Sequence, residues 1–250
     1  MYQLSPRIMS VIAAVAEFDL LDSSQDPPQS IIDAVLELSQ LFTRTGSGAG
    51  RAYFEDPQLR AGYLAYYVPV NLAKVQLLLD ELHPMLLSLA NQEFRVLDLG
   101  GGPGTGALGA LDWCHSRSVG QPPSLHMTVV DHSPQVLRLC AEMWQAYTRQ
   151  YQNQPLPPLQ TIQCNLERSL PSAIREQRGE YGYHLIILQN LLSELFVGGT
   201  DPVGQRTALV GELLDCLAPE GSLMLVEPAS RAASRQLHQV RDNLLAEQRC

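Results

Sequence analysis

The chemistry in this chain is concentrated in one run, Val96-Leu97-Asp98-Leu99-Gly100-Gly101-Gly102-Pro103-Gly104-Thr105-Gly106. A hydrophobic segment passes directly into glycines, which lack the Cβ that keeps a backbone from turning tightly or approaching a ligand closely. A helix opening after Gly104 would add free N–H groups, which favour an anionic or polar group. Two registers fit the run. Gly102-Pro103-Gly104-Thr105-Gly106-Ala107 matches the G-x-G-x-x-A of dinucleotide sites. Asp98, Gly100, Gly102 and Gly104 match D-x-G-x-G-x-G better, with Gly101 and Thr105 between and after them. An acid ahead of the glycines repels a pyrophosphate and suits a ligand that carries an ammonium group.

Other polar residues fall at the ends of the segments that follow. Asp131, with His132 beside it, closes a second apolar run, where a carboxylate can accept both hydroxyls of a ribose. Ser133-Pro134 are good N-cap and N1 residues for the next helix. Cys164-Asn165-Leu166 follow a third run and Gln189-Asn190 a fourth; Asn165 reads equally well as a plain turn residue. Glu194 and Glu227 stand near the same edge, as a base or as caps and arginine partners. The group Tyr53, Phe54, Tyr63, Tyr66 and Tyr67 is suited to stack on bases, to cover a cleft, or to fill a core. Asn71 and Lys74, one turn apart, are placed to reach such a cleft from a helix.

Positioning these residues requires an alternating α/β framework. Strand-like runs at 94–99, 125–130, 159–163, 183–188 and 222–226 alternate with helical segments after Gly104 and at 134–151, 205–217 and 231–248. Apolar strands separated by helices predict a parallel sheet with right-handed crossovers. Residues 1–92 read as helical: Ile8–Ala16, then Ile31, Val35, Leu38 and Leu41 after Ser30 as N-cap. A Gly/Ser loop at 45–50 follows, then helices over 51–67 and 69–90. The expected division is a helical region at 1–92 and an α/β domain at 93–250.

The glycine run resembles motif I of the class I S-adenosylmethionine-dependent methyltransferases. That resemblance implies a Rossmann-like sheet binding S-adenosylmethionine. Asp98, Gly100, Gly101, Gly102, Gly104, Thr105, Asp131, His132, Asn165, Leu166 and Gln189 would be the cofactor residues, with Cys164-Asn165-Leu166 near the adenine. Asp131 suits either cofactor; the acid at 98 favours S-adenosylmethionine over NAD. The methyl acceptor would lie near Asn190, Glu194 and Glu227. Gln189-Asn190-Leu191-Leu192 lacks the two prolines and the aromatic ring found there in amino-directed nucleic-acid enzymes. No Pro-Cys pair marks a cytosine-type thiol nucleophile, so the catalytic residue stays open.

A narrower resemblance lies outside that run. Asp56 to Tyr67 with Pro69-Val70-Asn71, Leu188 to Leu195, and Leu225-Val226-Glu227-Pro228 with Arg241-Asp242 are similar to a methyltransferase-like family of the mitochondrial small ribosomal subunit and its bacterial relatives. It implies a role in small-subunit or rRNA maturation, as an enzyme or as a non-catalytic assembly factor; a small-molecule methyltransferase is the alternative. The family's cysteine cluster, which would hold a metal or iron–sulfur centre, is not supported here. A single cysteine, Cys250, stands at that point. A class I sheet also continues into a C-terminal hairpin; with five strands visible, a shortened chain and an open sheet edge are expected.

Composition bounds the rest. The chain has 250 residues, 45% hydrophobic and 17% charged, enough apolar material for a full core. A formal net charge of −9 argues against DNA binding or strong autonomous binding to any nucleic acid, although residues 229–250 are locally basic. Lys74 is the only lysine, the other sixteen basic residues being arginine. Five scattered cysteines without a C-x-x-C pair point to reduced thiols in the cytoplasm, not to disulfides or zinc. No apolar stretch suggests a membrane span, and Arg7 alone is too little basic charge for a signal peptide.

Overall fold

One strand of the sheet is buried along its whole length. All seven residues of Tyr183–Gln189 are buried, and they pair in parallel with strands on both sides. In the computed structural model, which describes residues 2–16, 26–43, 53–86, 93–117, 124–150 and 158–247, this is the fourth of five strands. They are β1 (Glu93–Leu99), β2 (Ser124–Asp131), β3 (Leu159–Gln163), β4 (Tyr183–Gln189) and β5 (Leu217–Val226), in the order β3-β2-β1-β4-β5, all parallel. This is the Rossmann-like arrangement expected from the alternating pattern. The order reverses between β1 and β4, so the crevice beyond their C-terminal ends is the topological switch point, where open α/β sheets bind ligands.

Helices cover both faces: α5 (Thr105–Arg117) and α6 (Pro134–Thr148) on one, α8 (Pro202–Leu214) and α9 (Arg231–Ala246) on the other, with a short α7 (Ser172–Arg175) between β3 and β4. Two apolar clusters follow from that layering. Alternation along β1 sends Val96 to one and Leu97 and Leu99 to the other.

The N-terminal helices are α1 (Pro6–Ala16), α2 (Gln29–Thr43), α3 (Pro57–Gly62) and α4 (Val68–Leu86). α1 and α4 share the core of the sheet: Ile8, Ile12, Leu72, Val75 and Leu79, with Leu64 of the turn before α4, join the same cluster as Val96, Leu108 and Met143. A buried carboxylate ties the two parts together. Asp112 on α5 accepts from Ser5 Oγ (2.6 Å), Tyr147 Oη (2.9 Å) and Gln76 Nε2 (2.9 Å), and Tyr2 donates to the Gln76 Oε1 (2.9 Å). Three donors converge on it, which is the hydrogen bonding that a buried carboxylate requires.

Three local expectations change. The helix predicted over 51–67 begins only at Pro57, capped by Asp56, whose side chain accepts the N–H groups of Gln58 (2.7 Å) and Leu59 (3.1 Å). It then widens into a π-turn at Tyr63–Tyr67, where the Val68 N–H reaches back to the Tyr63 carbonyl. Pro69 has no N–H to donate, so an irregular stretch just before it is the cheap place for the helix to bend. Ser30 lies inside the first turn of α2, which starts at Gln29, so it is not the cap. β5 starts at Leu217, earlier than its apolar pattern suggests, with Glu220 at φ 60° and a register shift opposite Tyr183/Leu185. The predicted Gly/Ser loop at 45–50, the boundary at 92 and Cys250 lie outside the described residues.

Candidate cofactor and acceptor site

The glycine loop joins β1 to α5 at the switch point. Gly100, Gly102 and Gly104 have φ of 62°, 55° and 84°, the left-handed region that other residues enter at a cost. Space divides these glycines into two kinds. A Cβ on Gly100 would sit 2.5 Å from Leu191 Cδ1, on Gly101 2.7 Å from the Asp98 carboxylate, and on Gly104 2.6 Å from Cys140 Sγ. Those three are glycine because protein packs against them. A Cβ on Gly102 would meet only Val136 Cγ1, at 3.9 Å. At Gly102 the backbone is bare toward open space, which is what close approach of a ligand requires.

Asp98 does not face that space. It is 1% exposed and lies under the loop, where the Ala107 N–H donates to Oδ2 (2.9 Å) and the Gly106 N–H adds a second bond. It therefore caps the start of α5 and shapes the loop; contact with a ligand's ammonium group, expected from its place in the motif, is not what this geometry provides. Burial raises its pKa to about 7, with the Asp131 charge adding to the rise and the two N–H bonds opposing it.

Asp131, at the end of β2, does stand beside Gly102. Its Oδ2 accepts the Gly102 N–H (3.1 Å), and its Oδ1 accepts from Ser133 N (2.9 Å) and lies 3.2 Å from His132 Nδ1. Ser133 caps α6 as predicted, accepting the Val136 N–H at 3.4 Å, with Pro134 in the first turn. The half-exposed His132 flanks the carboxylate.

The remaining sequence candidates separate. Thr105 Oγ donates to Gln189 Oε1 (3.2 Å), and Gln189 Nε2 donates to the Asn71 carbonyl (3.0 Å). Gln189 is thus a buried bridge between α5 and α4, not a group aimed at the cleft. Asn165 Oδ1 accepts the Glu167 N–H (3.0 Å) in a turn, and Leu166 is buried in the second apolar cluster. Asn190 sits at the end of β4 with φ 55° and hands its N–H to the Val226 carbonyl (2.7 Å).

Glu227 is not available as a base. Its carboxylate accepts three backbone N–H groups, from Leu191 (3.0 Å), Leu192 (2.8 Å) and Ser193 (3.2 Å). Behind that turn, Arg206 is 2% exposed and donates to the carbonyls of Leu195 and Ser193 and to Gln236 Oε1. An acid from one loop and a guanidinium from α8 thereby fix the segment 191–195. Nothing in the sequence pattern marked Arg206, because a single arginine within a helical stretch reads as solvated surface.

That fixed segment carries the exposed Glu194, whose charge is felt at an aromatic corner formed by Tyr53 and Tyr63. The Tyr53 ring stacks on Tyr63 (centroids 5.3 Å, 26°), and Tyr63 on Tyr67 (5.5 Å, 22°). Gln135 Nε2, in the first turn of α6, donates to the Phe54 carbonyl (2.9 Å), so this corner lies over the end of the sheet beside Asp131. Burial, then the Glu194 charge, holds the Tyr63 hydroxyl above its ordinary range, and the Tyr53 hydroxyl is raised in the same direction.

Among the described residues, no group of three or more His, Cys, Asp or Glu could hold a metal ion, and no helix is long and apolar enough to cross a membrane. No protein-family model and no curated protein sequence matches the chain. Solved structures do. An O-methyltransferase family protein from Burkholderia thailandensis is 18% identical with TM-score 0.48, over 88% of this chain and 62% of that one. An amino pentose methyltransferase from Micromonospora echinaspora, solved with S-adenosylmethionine, is 18% identical with TM-score 0.42, over 68% and 56%. An arsenic(III) S-adenosylmethionine methyltransferase from Chlamydomonas reinhardtii is 24% identical with TM-score 0.38, over 54% and 39%. The chain thus spans less than two thirds of each. These likenesses are to the fold, and none of the three supports the narrower resemblance to the small-subunit-associated family.

Proposed function

We propose that this chain binds S-adenosylmethionine at the glycine loop and is a methyltransferase for a small-molecule acceptor. The observation that carries the reading is the bare backbone of Gly102 beside the Asp131 carboxylate at the switch point, with the other loop glycines packed against protein. That is a cradle for a ligand with a nucleoside part, and the acid held under the loop at Asp98 leaves no anion-binding excess for a pyrophosphate.

When bound, the cofactor would supply an electrophilic methyl group. The chain's own residues would bind and orient: Gly102 by close approach, Asp131 as acceptor for ribose hydroxyls, and Asp98 by holding the loop. Much of such catalysis is positioning. The N-terminal helices support a small acceptor, because the Gln135 bond to the Phe54 carbonyl sets the packed rings of Tyr53, Phe54 and Tyr63 beside the residues that follow Asp131. The net charge of −9 points the same way.

The test is calorimetric titration with S-adenosylmethionine, S-adenosylhomocysteine and NADH. The first two should bind and the third should not; Gly102→Arg and Asp131→Ala should each abolish binding. NADH binding in their place overturns the reading. A second reading, action at the small ribosomal subunit in the cytoplasm, is favoured by the exposed Arg231 and Arg235 on α9. Co-sedimentation with small subunits, lost on Arg231→Glu/Arg235→Glu, would support it.

A further inference from the structure

Helix α4 is apolar on two sides, and among the described residues only one side is covered. Leu72, Val75 and Leu79 face the core. Val75 seats so closely on Gly109 of α5 that a Cβ at Gly109 would lie 3.1 Å from Val75 Cγ1. The opposite side carries Val70, Lys74, Leu77, Leu78 and Glu81, all exposed, with Leu77 at 47% and Leu78 at 38%. Spacings of three and four residues put these five on one stripe. Single leucines on a surface need no explanation, but a stripe of them on the back of a core helix does.

The charges on that stripe match one another. Between Val68 and Leu82 the helix has three charged residues, Lys74, Asp80 and Glu81. Asp80 is committed to α5, accepting from Trp113 Nε1 (2.9 Å) and pairing with Arg117 (2.8 Å). Lys74 Nζ makes a long bond (3.4 Å) to the neutral Asn71 on its own helix. Among the described residues neither Lys74 nor Glu81 joins an ion pair. They stand seven residues apart, about 10 Å along the helix axis, with Leu77 and Leu78 midway. Turned end over end about the point between Leu77 and Leu78, the stripe becomes its own complement: lysine falls on glutamate and leucine on leucine. That is the self-complementarity an isologous two-fold interface requires.

We propose that the outer face of α4 is a homodimer interface, in which two copies of the helix pack antiparallel about a two-fold axis between Leu77 and Leu78. Lys74 on each copy then pairs with Glu81 on the other, and the leucines fill the middle. An apolar centre with a charged rim is the common anatomy of such contacts. A second copy suits this face better than an anionic membrane does, because Glu81 and a net charge of −9 oppose that surface. One helix pair is a small contact, so the dimer is weak and depends on concentration. None of these residues belongs to the cofactor cradle, so the two readings stand or fall separately.

Analytical ultracentrifugation of the full chain from about 1 to 300 µM should show a reversible monomer–dimer equilibrium. Lys74→Glu and Glu81→Lys should each weaken the dimer about tenfold, because the two-fold axis sets like charges together twice. The two substitutions combined restore opposite charges and should return the affinity to within about threefold of the parent chain. Leu77→Asp/Leu78→Asp should leave only monomer. All these positions are exposed, so thermal unfolding of the charge variants should match that of the parent. A chain that stays monomeric throughout overturns the proposal, as does a dimer that single reversals leave intact or the combination fails to restore. Flotation of the chain with phosphatidylcholine vesicles, lost on Leu77→Asp/Leu78→Asp, would overturn it too and make the stripe a lipid surface.

Discussion

Glu227 Oε1 lies 2.8 Å from the backbone nitrogen of Leu192 and 3.0 Å from that of Leu191, so a single carboxylate oxygen closes the turn after β4. Removing it strands three N–H groups beside a buried arginine. Glu227→Ala should cost about 3 kcal/mol in urea unfolding, since charge-assisted bonds contribute about 1.5–3 kcal/mol and unpaired buried donors add to the loss. Glu227→Gln, which keeps one acceptor oxygen, should lose less. A Glu227 that acted mainly as a base would show the reverse: little stability change and a large loss of activity.

Gly102 and Gly104 should behave oppositely on replacement by alanine. Gly104→Ala drives a methyl into Cys140 at 2.6 Å in a left-handed conformation and should unfold the loop, lowering stability by more than about 2 kcal/mol. Gly102→Ala meets open space, so only backbone strain remains, about 1–2 kcal/mol. Its main effect should be at least a tenfold loss of S-adenosylhomocysteine affinity, read by calorimetry against thermal unfolding.

One buried and one partly buried group should pull stability in opposite directions with pH. The Asp98 carboxyl, raised to about 7 by burial, holds its proton in the folded state when the unfolded chain has released it, so its contribution falls as pH rises from about 4 to 7. His115, lowered to about 4 by burial and by Arg7, is neutral when folded, and its contribution is lost as pH falls from about 6.5 to 4. Asp98→Asn should therefore flatten the decline toward neutral pH, and His115→Gln the decline toward acid. Urea midpoints measured from pH 4 to 8 on both variants check the signs.

Asp112 should be the strongest single attachment of the N-terminal helices. Asp112→Ala leaves Ser5, Gln76 and Tyr147 without their shared acceptor and should cost about 3 kcal/mol or more. Hydrogen exchange should quicken in α1 first, because Ser5 stands at its entrance. Ser5→Ala should show the same pattern with about a third of the loss.

The framework was legible because periodicity reports burial. All five strands fall where apolar runs alternate with helical ones, and Ser133-Pro134 sits where it must to start α6. The glycine loop was legible as a motif, though its internal division of labour was not. Nothing in D-x-G-x-G-x-G tells that Asp98 points under the loop, since that depends on which face of β1 meets α5. Glu227 was marked at the sheet edge, as base or cap, but its cap partners could not be named, and Arg206 was not marked: these bonds run to backbone groups 11 to 36 residues away, and a pattern of side chains carries no trace of them. Gln189 was placed at the strand end, but its bridge from Thr105 to the Asn71 carbonyl was not legible, since α4 comes back over it.

The π-turn at Tyr63–Tyr67 amounts to one residue more than a regular helix would hold. Deleting a single residue there would let α3 and α4 run on as one regular helix, with the residues on either side still in register and Leu72 and Val75 still packed. The extra residue acts locally: it widens the turn on which Tyr63 and Tyr67 stand, so the spacing of the tyrosine column is set by one peptide unit while the core beneath is not.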